Sequence, residues 1–241
     1  MKTAKNSVIT LAVMVMAITM TTGAAQAATN FSGALHFNAG FPQGELKDQI
    51  DRNAYGVGGE FFFAPQRSPL AIGLDLSWMN YGSETRREPF STTIPDVTVD
   101  VNTSNNIVQT FLVLRGQMPG GPIRVYGDAL VGFNYLYTET KITDTDSPGE
   151  AIVSSTNQDD AAFAYGFGGG VMVPILSRMD TTKGKKPFEV SLDGGLRYIF
   201  GGEAEYLKKG SIRREDGAVT FDRIQSKTDM LKMHVGVSVR F

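Results

Sequence analysis

The chain has no cysteine in 241 residues, one tryptophan (Trp78) and two histidines, His36 and His234. Without thiols there is no disulfide scaffold and no thiolate metal site, although that absence assigns no compartment. An excess of one charge is missing too: 23 Lys and Arg stand against 25 Asp and Glu, a net of −2. Nucleic acid is therefore not an expected partner, because nothing supplies the basic stripe that phosphates require. The apolar run from Val8 to Met20, roughly 13 residues, is shorter than the about 20 a transmembrane helix needs. It follows Lys2 and Lys5 and precedes Ala25-Gln26-Ala27, the order of a secretory signal peptide. Residues 1–27 are expected to be cleaved, leaving 28–241 as one domain. No other stretch approaches a spanning helix, so a membrane-bound mature chain would have to cross as strands.

What the sequence does contain is alternation. From Met230 to the end, Leu231, Met233, Val235, Val237, Val239 and Phe241 fall on one face of a strand, and Lys232, His234, Gly236, Ser238 and Arg240 on the other. The same period predicts strands over 31–41, 54–63, 70–81, 106–117, 123–140, 161–173 and 188–200. Proline-rich turns at 65–69 and 118–122 and a medium connection at 174–187 separate some of these strands. Long polar connections at 82–105, 141–160 and 201–226 separate others, with a shorter polar loop at 42–53. In the first long connection Val97, Val99 and Val101 alternate with Thr98 and Asp100, extending the strands as a ribbon. Eight strands joined alternately by long and shorter connections predict an all-β fold, an eight-stranded antiparallel up-and-down transmembrane barrel. The even strand number puts both termini on the turn side.

Alternation alone fits a membrane barrel with its apolar face outward, or a soluble ligand-binding barrel with that face inward. The polar face decides between them. It is mostly Gly, Ala, Ser and Asn with one or two charges per strand, as a crowded interior requires. Its charges balance: Glu60, Asp75, Asp128, Glu189 and Asp193 against Arg115, Arg124, Arg197, Lys232 and Arg240. Buried ions must be paired, so these residues together with His234 are expected to form an interior charge network. The aromatics also sort by height. Phe41, Tyr55, Trp78, Tyr135, Tyr137, Tyr165, Tyr198 and Phe200 lie at the loop end, and Phe31, Phe61, Phe63, Phe188 and Phe241 at the turn end, as two interface girdles.

An apolar closing strand that ends on Phe241 resembles the last strand of bacterial outer-membrane barrels, and the mature chain as a whole resembles the small OmpA and OmpX type. The resemblance implies residence in the bacterial outer membrane with both termini periplasmic. It implies outer-membrane lipid and lipopolysaccharide as surroundings, and an assembly machinery that reads Val237, Val239 and Phe241. It also implies a structural or surface-interaction role carried by the long loops, whose ligand the sequence does not identify. The chain stops at its closing strand, so no peptidoglycan-binding domain is expected. The alternative is a narrow pore for ions or small solutes, which the abundant luminal glycines would permit.

No enzymatic activity and no cofactor are expected. Barrel closure makes His36 and His234 neighbours on the polar face, where an interior hydrogen-bond network is the expected reading. Lipid-modifying enzymes on similar barrels use a His with a nearby Ser, but neither histidine has a serine within two positions, and Gly-x-Ser-x-Gly does not occur. Asp144-Thr-Asp146-Ser-Pro148-Gly149 begins like a calcium loop, but its fifth position is proline and its twelfth is Ser155. Gly166-Phe-Gly168-Gly169-Gly170 has no following helix to make a phosphate cradle. Lys208, Lys209, Arg213 and Arg214 are interleaved with Glu203, Glu205, Glu215 and Asp216, as in a mixed solvated loop.

Overall fold

Ten strands and one short helix follow one another along the chain in a computed structural model that describes residues 29–50, 52–65, 68–89, 98–118, 120–144, 151–178, 188–215 and 218–241. The expected signal peptide and most of the calcium-like loop lie outside these residues. The strands are β1 (Thr29–Pro42), β2 (Ala54–Pro65), β3 (Leu70–Pro89), β4 (Thr98–Gln117), β5 (Arg124–Asp144), β6 (Ala151–Arg178), β7 (Phe188–Gly201), β8 (Glu203–Glu215), β9 (Ala218–Lys227) and β10 (Met230–Arg240). Helix α1 (Gly44–Gln49) lies between β1 and β2 and opens on Gly44, whose φ of 52° favours glycine.

Eight strands close a barrel in the order β1-β10-β7-β6-β5-β4-β3-β2, each antiparallel to its neighbours, and β8 and β9 form a separate hairpin. Closure is made by β1 and β10, where Leu35 faces Val237, His36 faces Gly236 and Phe37 faces Val235. Phe31 and Phe241 complete it with backbone hydrogen bonds of 3.0 and 2.9 Å. The alternation fixes this register, because a slip of one residue would carry every apolar side chain of the strand to the opposite face.

The outer wall is apolar and exposed: Leu35 is 76 % accessible, Phe167 62 % and Val57 60 %. Aromatics stack at both heights. Phe31 lies 5.6 Å from Phe63 at the turn end, and at the loop end Tyr165 lies 5.2 Å from Phe200 and the Trp78 indole donates to the Tyr137 hydroxyl at 3.1 Å. Tyr55 and Phe63 are eight residues apart on β2. That separation is about 26 Å along the strand at ~3.3 Å per residue, and about 20 Å along the axis for a 40° tilt.

The structure departs from the sequence reading in three places. First, β5 and β6, 21 and 28 residues long, run on into the connection read as a polar loop, while β3 and β4, 20 residues each, extend as the expected ribbon, so the ladder rises well above the belt, with Pro89 paired to Thr98 and Val99 to Asp144. Strands can continue there without an apolar face because pairing alone satisfies their backbone groups. At the turn side β6 likewise runs to Arg178, into the expected medium connection.

Second, the segments read as polar loops at 42–53 and 201–226 hold α1 and the β8–β9 hairpin, which fold over the loop-end mouth. Leu46 and Ile50 of this cap pack with Ala204 and Tyr206 onto Met79, Tyr81, Ile107, Leu136 and Met230. The Lys227 amide donates to Glu45 at 3.0 Å and joins the two parts of the cap, and β6 holds the β8 end of it through the Gly202 amide to the Phe163 carbonyl at 2.8 Å and the Glu205 amide to Asp160 at 2.8 Å.

Third, the inward face carries large apolar side chains as well as polar ones. Phe62, Phe111, Val113, Leu130 and Ile199 are buried together with Ala64, Ala71 and Ala164.

Candidate functional site: the sealed lumen

Side chains that alternate with the exposed apolar ones point into the barrel, and the antiparallel register stacks them in layers. At the turn end, Arg124 grips Glu189 with two hydrogen bonds of 2.5 Å each. Arg240 faces Glu189 in the ladder but is only half-buried, and it makes no ion pair among the described residues. Unlike the other cations of the expected network it remains at the solvent-facing rim, because the barrel ends there.

The central layer is a connected cluster of ions. Arg115 donates to Asp128 at 2.7 and 2.9 Å and to Glu60 at 3.1 Å. Arg197 reaches Asp128 at 2.5 Å, Asp75 at 2.7 Å and Glu60 at 2.5 Å. Lys232, fully buried, donates to Asp75 at 3.1 Å and to Ser77 at 3.2 Å. The Arg115 guanidinium is sandwiched between the rings of Phe62 and Tyr126, at 4.0 and 3.9 Å from their centroids. Removing one partner from such a cluster costs about 3–5 kcal/mol, because the remaining charge is left uncompensated in a low-dielectric interior.

Beside this cluster lies a second group, which draws one side chain from each of four strands. Tyr126 of β5 donates its hydroxyl proton to Asp193 of β7 at 2.8 Å, and its oxygen lies 2.9 Å from His234 Nε2 of β10. His36 of β1 places Nε2 at 3.3 Å from the other Asp193 oxygen, and the two imidazole centroids are 4.9 Å apart. Among the described residues Nδ1 of His234 has no hydrogen-bond partner, which costs about 1–3 kcal/mol for a buried polar atom.

Glycines make the room for these groups. A Cβ on Gly195 would lie 2.7 Å from the His234 ring and 2.8 Å from the Tyr126 hydroxyl, and one on Gly236 would lie 2.6 Å from the His36 ring. The glycine run on β6 serves the same packing: Gly168 admits the Arg197 side chain and Gly170 admits Tyr126. Above this layer Gln109 donates to Asn134, and Asn134 to Thr228, both at 3.1 Å. The cap closes over them.

The structure thus gathers Glu60, Asp75, Arg115, Asp128, Arg197 and Lys232 in one cluster. It sets Arg124 and Glu189 apart as a pair, and joins Asp193 and His234 to His36 and Tyr126. Tyr126 and the ring of Phe62 escaped selection in the sequence, although Tyr126 shares parity with Arg124 and Asp128. A run of glycines on one facing strand is the signal that a large side chain stands opposite. Of the residues weighed at the loop end, the side chains of Lys208, Lys209, Arg213, Arg214, Glu215 and Asp216 lie outside those described.

Solved small outer-membrane barrels share this architecture. Neisserial surface protein A is 12 % identical, with 88 % of this chain and 95 % of that one covered and a TM-score of 0.40. A major outer membrane protein from Thermus thermophilus is 14 % identical, with 89 % and 100 % covered and a TM-score of 0.49. Outer membrane protein H from P. aeruginosa is 14 % identical over 89 % and 100 %, with a TM-score of 0.31. No family model and no curated protein matches the chain. At these identities and TM-scores the likeness concerns architecture and says nothing of activity.

Proposed function

We propose that this chain is an integral barrel of the bacterial outer membrane with a filled lumen, acting as a structural or surface-interaction protein through the assembly at its loop end. The observation that carries this reading is the inversion of polarity across the wall. Large apolar side chains around the circumference stand exposed while Glu60, Asp75, Arg115, Arg197 and Lys232 are sealed inside. Transferring that wall from water to hydrocarbon is favourable at about 25 cal/mol per Å². The closed ladder leaves no strand edge to be satisfied in lipid.

The partners that follow are outer-membrane lipid along the belt and lipopolysaccharide beside the loop-end strands, with both termini at the periplasmic rim. Recognition by the assembly machinery falls to Val237, Val239 and Phe241 in this reading, which their common face on the closing strand supports. The pore reading is less favoured, because Arg197, Lys232 and Phe111 are fully buried across the lumen and the cap covers its mouth. Protease shaving of intact cells, combined with gel migration with and without heating, tests the proposal. Expected are cleavage confined to the loop-end hairpins and a faster unheated band. A mature product that stays in solution without detergent would overturn it.

A further inference from the structure

Among the described residues five carboxylates are buried in the barrel, Glu60, Asp75, Asp128, Asp193 and Glu189, against four buried Arg or Lys cations, Arg115, Arg124, Arg197 and Lys232. Four of the carboxylates lie within ion-pair distance of those cations. The fifth is Asp193, whose hydrogen-bond partners are His36 and Tyr126. The half-buried Arg240 does not help, because it faces Glu189, four residues further along the β7–β10 ladder. Asp193 thus has no Arg or Lys within ion-pair distance among the described residues, and a proton on an imidazole or a metal ion would supply a positive charge beside it.

We propose that His36, Asp193 and His234, with the Tyr126 hydroxyl as a fourth donor, form a binding site for a divalent transition-metal ion of the zinc class. Two imidazoles and a carboxylate are ligands such ions favour, and here each offers an atom within 4.8 Å of the others. The His36 Nε2 to Asp193 Oδ2 separation of 3.3 Å matches the edge of a tetrahedron with metal–ligand bonds of about 2.0–2.1 Å. The Tyr126 hydroxyl oxygen, at 2.8 Å from Asp193 and 2.9 Å from His234 Nε2, links the carboxylate to the second imidazole.

Two further features bear on the site. His234 faces Tyr126 with Nε2, its Nδ1 has no hydrogen-bond partner among the described residues, and a Cβ on Gly195 or Gly236 would crowd the His234 or His36 ring as well as a neighbouring backbone carbonyl. The neighbouring guanidinium groups of Arg115 and Arg197 are engaged by Glu60, Asp75 and Asp128, which offsets their repulsion of an incoming cation.

The test uses the untagged mature barrel folded in detergent, treated with chelator and titrated with Zn²⁺ and Co²⁺. Expected are one equivalent bound, a tetrahedral Co²⁺ absorption spectrum, and affinity lowered at least about tenfold in His234→Gln and Asp193→Asn that retain heat-modifiable migration. Should those variants fail to fold, histidine NMR on the wild-type chain decides: both imidazoles must respond to one equivalent of Co²⁺. A folded wild-type barrel that takes up no metal, or binding unchanged in both variants, overturns the proposal. Imidazoles that titrate with pH but ignore the metal also overturn it, assigning the balancing charge to a proton.

Discussion

Arg197 holds three carboxylates from three other strands, Glu60 of β2, Asp75 of β3 and Asp128 of β5, so a single guanidinium cross-braces the barrel through its centre. Its planar fork allows several charge-assisted hydrogen bonds at once, which a lysine ammonium could not reproduce with the same geometry. Arg197→Met keeps much of the volume but leaves the carboxylates short of one positive charge. The expected loss is about 3–5 kcal/mol in denaturant unfolding of the detergent-folded barrel. Removing Arg124 and Glu189 together, as Arg124→Met with Glu189→Met, is expected to cost less than the two single changes summed, because the double variant strands neither charge. Equal additive losses would show that the bidentate pair contributes no coupling.

Helix α1 and the β8–β9 hairpin are held to the barrel mainly by a small apolar cluster, which makes the cap a unit that can loosen without the barrel unfolding. Leu46, fully buried beneath it, is the point to test. Leu46→Ala is expected to cost the cap about 2–5 kcal/mol, read as faster protease cleavage in the hairpin while heat-modifiable migration is kept. Tyr206 adds a dependence on pH. Burial pushes its hydroxyl above the ordinary tyrosine value, with Ser226 as its hydrogen-bond partner at 2.7 Å. Above about pH 10 an open cap ionises this tyrosine while a closed cap holds it neutral, so closure is fully stable below that pH and weakens as pH rises. Cleavage of the hairpin should accelerate through this alkaline window in the wild type and not in Tyr206→Phe. Identical pH profiles would remove the tyrosine from the account.

At the scale of the whole molecule, an eight-stranded barrel is wide enough for its own side chains and little more, and here those side chains form ion-paired, hydrogen-bonded and apolar layers up to the cap. Planar-bilayer recording of the wild type is expected to show no steady conductance, and a constant open level would restore the pore. Phe241 closes the ladder with Phe31 and stands half exposed on the outer wall. On the proposed reading, deleting it is expected to slow insertion in cells while leaving detergent refolding of the purified chain largely intact, because refolding loses only one rung of pairing. A refolding defect as large as the cellular one would make its role structural instead.

The chain's period-two pattern determined the eight barrel strands and the face each presents, because in a strand side-chain direction depends only on parity. Val237 and Leu35 had to share a wall, and Arg115 and Asp128 had to share the other side. The cap was not legible. Leu46 and Ile50 sit singly and Tyr206 beside only Leu207 among polar residues, and their burial depends on distant segments folding back over the mouth. Nor could parity reveal that Phe62 stacks on Arg115, or that Asp193 lies between His36 and Tyr126. Parity puts a residue inside, but barrel closure, strand stagger and the glycines opposite set its height and its neighbours. Local alternation thus specified which groups leave water, and only the closed tertiary structure decided which of them meet, since those meetings are made across the lumen between strands far apart in sequence.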